Sequence, residues 1–327
     1  MAYSKISQYG LGFTQGVLIR GLPVNQVHPG RVFWVNNSTV LPDGGIGGSN
    51  GNDGTYLRPF STIDYAVGRC TANRGDIIMV MPGYTQTISA AAGIALDVAG
   101  IAVIGLGMGS LRPTITFATA DTASITVGAA NISVQNMLFV ANIAACATCF
   151  DVGAAKDFTV EYCEFRDTSS SLNFINVIDT NAVANDADGL YFCNNRILGL
   201  GTTAATTAID IDEACDRIRA NDNYIVMAAV NNTPALLDIA AFNVLSLEVA
   251  RNIVYRPNTD SATGGLLLEG TTTASTGMVY ENHVKSLDVA GMLIMTTGSV
   301  LGFHENYLSG TADTSGIIIP AADSDAS

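Results

Sequence analysis

Three acids crowd the stretch AIDIDEA: Asp210, Asp212 and Glu213. In an extended strand, residues i and i+2 share a face and their carboxyls sit roughly 7 Å apart. That lies inside the ~6.5–9.5 Å window in which one carboxyl protonates a glycosidic oxygen while the other activates a water. Asp210, Asp212 and Glu213 are therefore the sharpest candidates for hydrolytic chemistry, although strand alternation also produces such pairs with no chemistry attached. A longer file runs through CFDV, VIDT, AIDI, LLDI and LLEG, which place Asp151, Asp179, Asp210, Asp238 and Glu269 each behind an apolar pair. Alternation turns these acids outward. At ~5 Å separation each neighbouring pair repels by on the order of 1 kcal/mol in water, so solvent, cations or a basic partner must compensate. A solvated stripe that aids solubility is the first expectation for this file, a subunit interface or cation site the second, and catalysis the third.

Other chemistry-bearing residues are sparse. The loop GGIGGSNGNDGTY offers Asn50, Asn52 and Asp53 as calcium ligands, but no bidentate acid follows at the required distance, and a turn is the expected role. Cys146 and Cys149 form one CxxC without a second pair or a histidine at ligand spacing, so the six cysteines read as small buried hydrophobes. His28, His283 and His304 are scattered. No cofactor is implied.

The elements that must position these residues show in an internal repeat. YFCNNRIL returns as IRANDNYI, LEVARNIV, MVYENHV and LGFHENYL, aligning Asn195, Asn223, Asn252, Asn282 and Asn306, with Met137 and Cys163 in two earlier rows. The spacing is about 24 to 32 residues. Three positions earlier stand Val134, Val160, Phe192, Ala220, Val249, Val279 and Phe303. Two positions later stand Phe139, Phe165, Ile197, Ile225, Val254, Val284 and Leu308. This is strand, corner, strand, with asparagine at the corner for its tolerance of left-handed backbone and for amide-to-amide hydrogen bonds between repeats.

The asparagine file and its apolar flanks resemble the right-handed parallel β-helix proteins of the pectate-lyase-like superfamily. The segment NDGTYLRPFSTIDYAVGRCTANRGDIIMVMPGYTQTI resembles their opening, where a short helix covers the first coil. Ser61 and Asp64 have capping-box spacing, and Ile63, Ala66, Val67 and Cys70 fall on one helical face. The expectation is an all-β, single-stranded right-handed parallel β-helix, a solenoid of about nine rungs, with an N-terminal capping helix and an extended N-terminal arm. Its parts are an arm over 1–30, an opening strand, loop and capping helix over 31–74, and the β-helix over 75–327. Asn258, Thr259 and Asp260 match the first motif of polygalacturonase-like proteins, but none of the later ones follows.

With 48% hydrophobic and 13% charged residues, 327 residues can bury one long core. No apolar run reaches the ~18 residues of a membrane span, and the opening lacks a secretion signal's apolar core. Residues 1–42 hold Lys5, Arg20 and Arg31 and no acid, a net of +3, so the rest carries −17 to make the total of −14. Net acidity argues against nucleic acid. The basic, partly apolar arm, with Lys5, Phe13, Arg20 and Arg31, reads as a segment that orders on a partner. Taken together, these features resemble β-helical virion proteins of tailed bacteriophages. That resemblance implies a non-enzymatic capsid decoration or spike, located in the virion after synthesis in the host cytoplasm. The arm would dock on a major capsid protein or other virion protein, the chain would form a homotrimer, and a host surface glycan is a further possible partner. The alternatives are a tailspike-like polysaccharide depolymerase, hydrolase or lyase, working through surface carboxylates, and a passive glycan-binding adhesin.

Overall fold

Strands of two to seven residues, most with apolar side chains at alternate positions, wind into three parallel sheets around one continuous apolar core. The computed structural model describes residues 17–19, 22–24, 30–41, 44–180, 184–200, 207–228, 236–239, 242–256, 266–269, 275–286, 293–294, 300–309 and 316–318. The architecture is an all-β right-handed parallel solenoid. The first face has ten strands from Val32–Val35 to Val300–His304. The second has ten, from Thr85–Ile88 to Asn306–Ser309 with Gly316–Ile318 added antiparallel, and the third has eight, from Ile94–Leu96 to Leu293–Ile294. Among the described residues no helix is long and apolar enough to cross a membrane.

Both apolar columns of the repeat stand in register. Val134, Val160, Phe192, Ala220, Val249, Val279 and Phe303 pair in sequence on the first face. Phe139, Phe165, Ile197, Ile225, Val254, Val284 and Leu308 do so on the second. Phe139 stacks on Phe165 at 5.2 Å and 17°, and across the core Phe165 meets Phe192 of the first face tilted by 33° at 5.9 Å. Each fully buried ring contributes roughly 1.5–3 kcal/mol, and Phe139 and Phe165 stack because the parallel register sets them side by side on adjacent rungs.

At the corner between these faces Asn195, Asn223, Asn252, Asn282 and Asn306 are all buried. Each side-chain oxygen accepts the backbone N–H of the preceding coil's corner residue, from Asn195 on Cys163 at 2.9 Å to Asn306 on Asn282 at 3.1 Å. Each side-chain amide donates to a carbonyl of that same preceding coil, at 2.7–2.9 Å. The left-handed bend, however, falls one residue earlier than the sequence suggests. Tyr162, Asn194, Asp222, Arg251, Glu281 and Glu305 have φ between 48° and 58°. The bend must precede the ladder residue so that its amide turns inward. The cost is about 1 kcal/mol per non-glycine residue, which the buried amide bonds offset.

The predicted helix is a short turn, Ile63–Val67, burying Ile63, Ala66 and Val67. Its N-cap is Thr62, whose hydroxyl accepts from Tyr65 N, and not Ser61. Ser61 is instead held by Asn50, and Asp64 accepts from Ala95 N, so the expected box of Ser61 with Asp64 does not form. The amides of Asn50 and Asn52 are spent on the loop itself. Asn50 Oδ1 accepts from Ser61 and Thr62, Asn52 Nδ2 donates to the Gly47 and Pro59 carbonyls, and Asp53 faces Arg58 at 3.6 Å. These three residues fix the loop. Of the arm residues, Lys5, Phe13 and Arg20 lie outside the described residues, and Arg31 begins the solenoid, its N–H donating to Asp76 at 2.6 Å.

Candidate active site: a file of carboxylates on the third face

Four strands of the third face carry the acidic file: Cys146–Val152, Phe174–Thr180, Thr207–Ile211 and Leu237–Ile239. Backbone register sets Asp151 beside Asp179, Asp179 beside Asp210, and Asp210 beside Asp238. Each is flanked by buried residues, such as Ile209 and Ile211 around Asp210, so the pleat turns the acid outward. Successive acids are therefore one inter-strand spacing apart, ~4.8 Å. Glu269 does not extend the file, because the next strand shifts by one: Leu268 stands opposite Asp238 and Glu269 opposite Ile239.

The acids are half-buried rather than freely solvated. Oδ1 of Asp179 and Oδ1 of Asp238 are buried without a hydrogen-bond partner. Burial first, then the charges of Asp210, Asp212 and Asp151, push Asp179 up to about 6. Burial and the charges of Asp210 and Asp212 likewise push Asp238 up to about 6. Asp210 is also raised, by burial and by Asp212, but Asn176 works against the rise, its Nδ2 donating to Asp210 Oδ2 at 2.8 Å. The file thus sets two carboxyls raised to about 6 on either side of Asp210, and Asn176 works against the rise at Asp179 as well as at Asp210.

Asp212 follows the end of its strand, exposed, with its N–H donating to Thr180 Oγ1 at 3.3 Å. Its charge acts on Asp179, Asp210 and Asp238 together. Glu213 acts on the Cys215 thiol and is not among the charges that shift the file. The sequence reading missed Asn176. Strict alternation would turn Asn176, three residues ahead of Asp179, to the opposite side; it reaches the file because the strand breaks alternation, with Ile175 and Asn176 both part-exposed and Val177 and Ile178 both buried.

A pH dependence of stability follows. Asp179 and Asp238 hold protons more tightly folded than unfolded, so between the ordinary 3.8 and about 6 the folded state binds more protons. Stability contributed by this file is present below the lower value and lost as pH rises through that window. Asp179→Asn is expected to raise the melting temperature at about pH 7 and to leave it nearly unchanged at about pH 4, in paired thermal melts. An unchanged melt at neutral pH would show that the file is fully solvated.

Among the described residues no group of three His, Cys, Asp or Glu side chains is placed to hold a metal ion. Cys146 and Cys149 are buried core thiols, with burial pushing Cys146 up to about 12.

No family model and no curated protein matches the sequence. Among solved structures the chain is similar to pectate lyase Pel9A, with a TM-score of 0.51 and 14% identity over 86% of this chain and 76% of that one. It is also similar to a rhamnogalacturonan lyase, with a TM-score of 0.44 and 13% identity over 89% and 90%. The likeness to the pectate lyase is one of fold. The pectate lyase is named for an enzyme and nothing found links this chain to a phage particle, so the expected inert capsid decoration or spike of a phage virion is corrected.

Proposed function

We propose that the protein is a polysaccharide depolymerase whose reacting groups are the acids of the third face. The observation that carries this reading is the pairing of Asp238, raised to about 6 with a buried unpartnered oxygen, with Asp210, whose anion Asn176 supports. One protonated and one ionised carboxyl, side by side, are the two groups that glycoside cleavage requires. Asp238 donates its proton to the departing glycosidic oxygen. Asp210 attacks the sugar carbon, and Asp238 then takes a proton from the water that releases the product. Their one-rung separation of ~4.8 Å matches the ~5–5.5 Å of retaining enzymes, not the wider gap expected of Asp210 with Asp212. Asp179 and Asp212 set the electrostatic field around the pair. The short helix Ile63–Val67 covers the open apolar end of the first coil.

The pectate lyase that shares this fold supports polysaccharide as the substrate class; its name also raises elimination as the reaction. The test is product analysis on a panel of neutral and acidic polysaccharides. New reducing ends without unsaturated sugars, and with retained anomeric configuration, are expected. Unsaturated uronate ends would replace hydrolysis by elimination, and intact polymer throughout the panel would end the depolymerase reading.

A further inference from the structure

The second face has an opposite character to the third. Its two outward columns follow the ladder asparagine by one and three residues, and among the described residues their only acid is Glu164. Glu164 is buried, and three guanidiniums converge on it: Arg112 at 3.2 Å, Arg166, and Arg196 at 3.7 Å. One carboxylate cannot satisfy them all, and Arg112 Nε is left without a hydrogen-bond partner. With Lys285, four cations face one anion, a net of +3 on a chain whose total is −14.

Tyrosines continue the strip along the axis. Arg196 lies over the ring of Tyr224 at 5.9 Å, Lys285 over that of Tyr255 at 5.3 Å, and His283 stacks on Tyr307 at 5.1 Å. Tyr224 is 43% exposed and Tyr307 39%, so their rings are open to a ligand and not buried as core. From Glu164–Asp167 to Asn306–Ser309 the strip crosses six strands, a length of about 24 Å.

We infer that this face is a binding strip for an anionic polysaccharide laid along the solenoid axis, separate from the acids of the third face. Tyrosine rings on three of the last four rungs, Tyr224, Tyr255 and Tyr307, offer flat apolar surfaces to the C–H faces of sugars. The arginines and Lys285 pair with carboxylate or sulfate groups on the chain, guanidinium doing so through two parallel N–H bonds. A polyanion lacking sugar faces would use the charges but not Tyr224 and Tyr307. The requirement for both chemistries selects a charged glycan over a generic acidic polymer.

The experiment is binding of the full-length protein to alginate, to the same polymer with its carboxylates reduced to hydroxymethyl groups, and to polyglutamate. Alginate is expected to bind, at least tenfold more weakly when salt is raised from about 0.05 to 0.5 M, since exposed charges are screened. The neutral polymer and polyglutamate are each expected to bind at least tenfold more weakly than alginate. Lys285→Glu and Tyr224→Ala, both at exposed positions, are each expected to weaken alginate binding about tenfold with unchanged melting temperature. Asp210→Asn is expected to bind like wild type, which separates this strip from the proposed reaction. Equal binding of alginate and its reduced form, equal binding of polyglutamate, or wild-type affinity in both variants would overturn the inference.

Discussion

Asp210→Asn is expected to lower kcat by about 10³-fold or more while leaving the protein folded. The substitution keeps the size and shape of the side chain, and its amide can still meet Asn176, which donates to Asp210 Oδ2 at 2.8 Å. What it removes is the negative charge and the nucleophilic oxygen. Removing that charge also takes away one of the repulsions that hold Asp179 and Asp238 near 6. Their carboxyls then fall toward the ordinary range, so any residual activity loses its general acid at a lower pH. In the wild type, kcat/KM should decline as pH rises through about 6, where Asp238 loses its proton. In the variant that alkaline limb should move down. The smaller substitution Asp210→Gly, given azide, should recover turnover, because a small anion can take the vacated place of the nucleophile. Full activity in Asp210→Asn would remove Asp210 from the reaction. Reduced activity with an unmoved pH limb and no recovery by azide would reduce it to a positioning residue.

The second large effect concerns the corner. Asn252→Leu is expected to destabilise the solenoid by about 4 kcal/mol, read from the denaturant midpoint. Asn252 is fully buried, and its Oδ1 accepts from both the N–H and the side-chain amide of Asn223 at 3.0 Å. Its Nδ2 donates to the Ala220 carbonyl at 2.7 Å and to Asn282 Oδ1 at 2.9 Å. Leucine has a similar volume but supplies none of these bonds, leaving at least two buried donors and one buried acceptor unsatisfied at about 1–3 kcal/mol each, reduced by relaxation. Because each coil touches only its neighbours, the transition should broaden as the coils on either side uncouple. A loss below about 1 kcal/mol would mean that water enters the corner freely and that the amide file is not a principal source of stability.

How far the sequence discloses this molecule depends on how local each feature is. The two apolar columns and the asparagines were legible because parallel coils repeat the same side chain at the same place, and Val134 to Phe303 aligns without knowledge of any loop. The bend at Asp222 and Arg251 was not legible at its true position, since a left-handed aspartate or arginine carries no compositional mark. Glu269 was misplaced because one residue's slip in a connection reverses which side chain stands beside Asp238. The protonation of Asp179 and Asp238 could not be read at all. It arises from burial and from charges on neighbouring coils that lie about 30 residues away in the chain. The basic strip falls between these cases. Glu164, Arg196, Tyr224 and Tyr307 each follow the ladder column by one residue, so extending the same alignment shows them, but the approach of Arg112 from outside the repeat does not follow from it.

The amide file has a direction. Every ladder oxygen reaches back to the N–H of the preceding corner, and the amides of Asn223, Asn252 and Asn282 also donate forward to the next oxygen, so the corner of a given coil is completed by the coil made after it. On a ribosome, which delivers the N-terminal end first, each newly emerged turn would latch the one before it, and winding would proceed as a ratchet in the order of synthesis. A nascent chain halted between Asn252 and Asn282 would hold every earlier latch closed and leave only its growing tip undone.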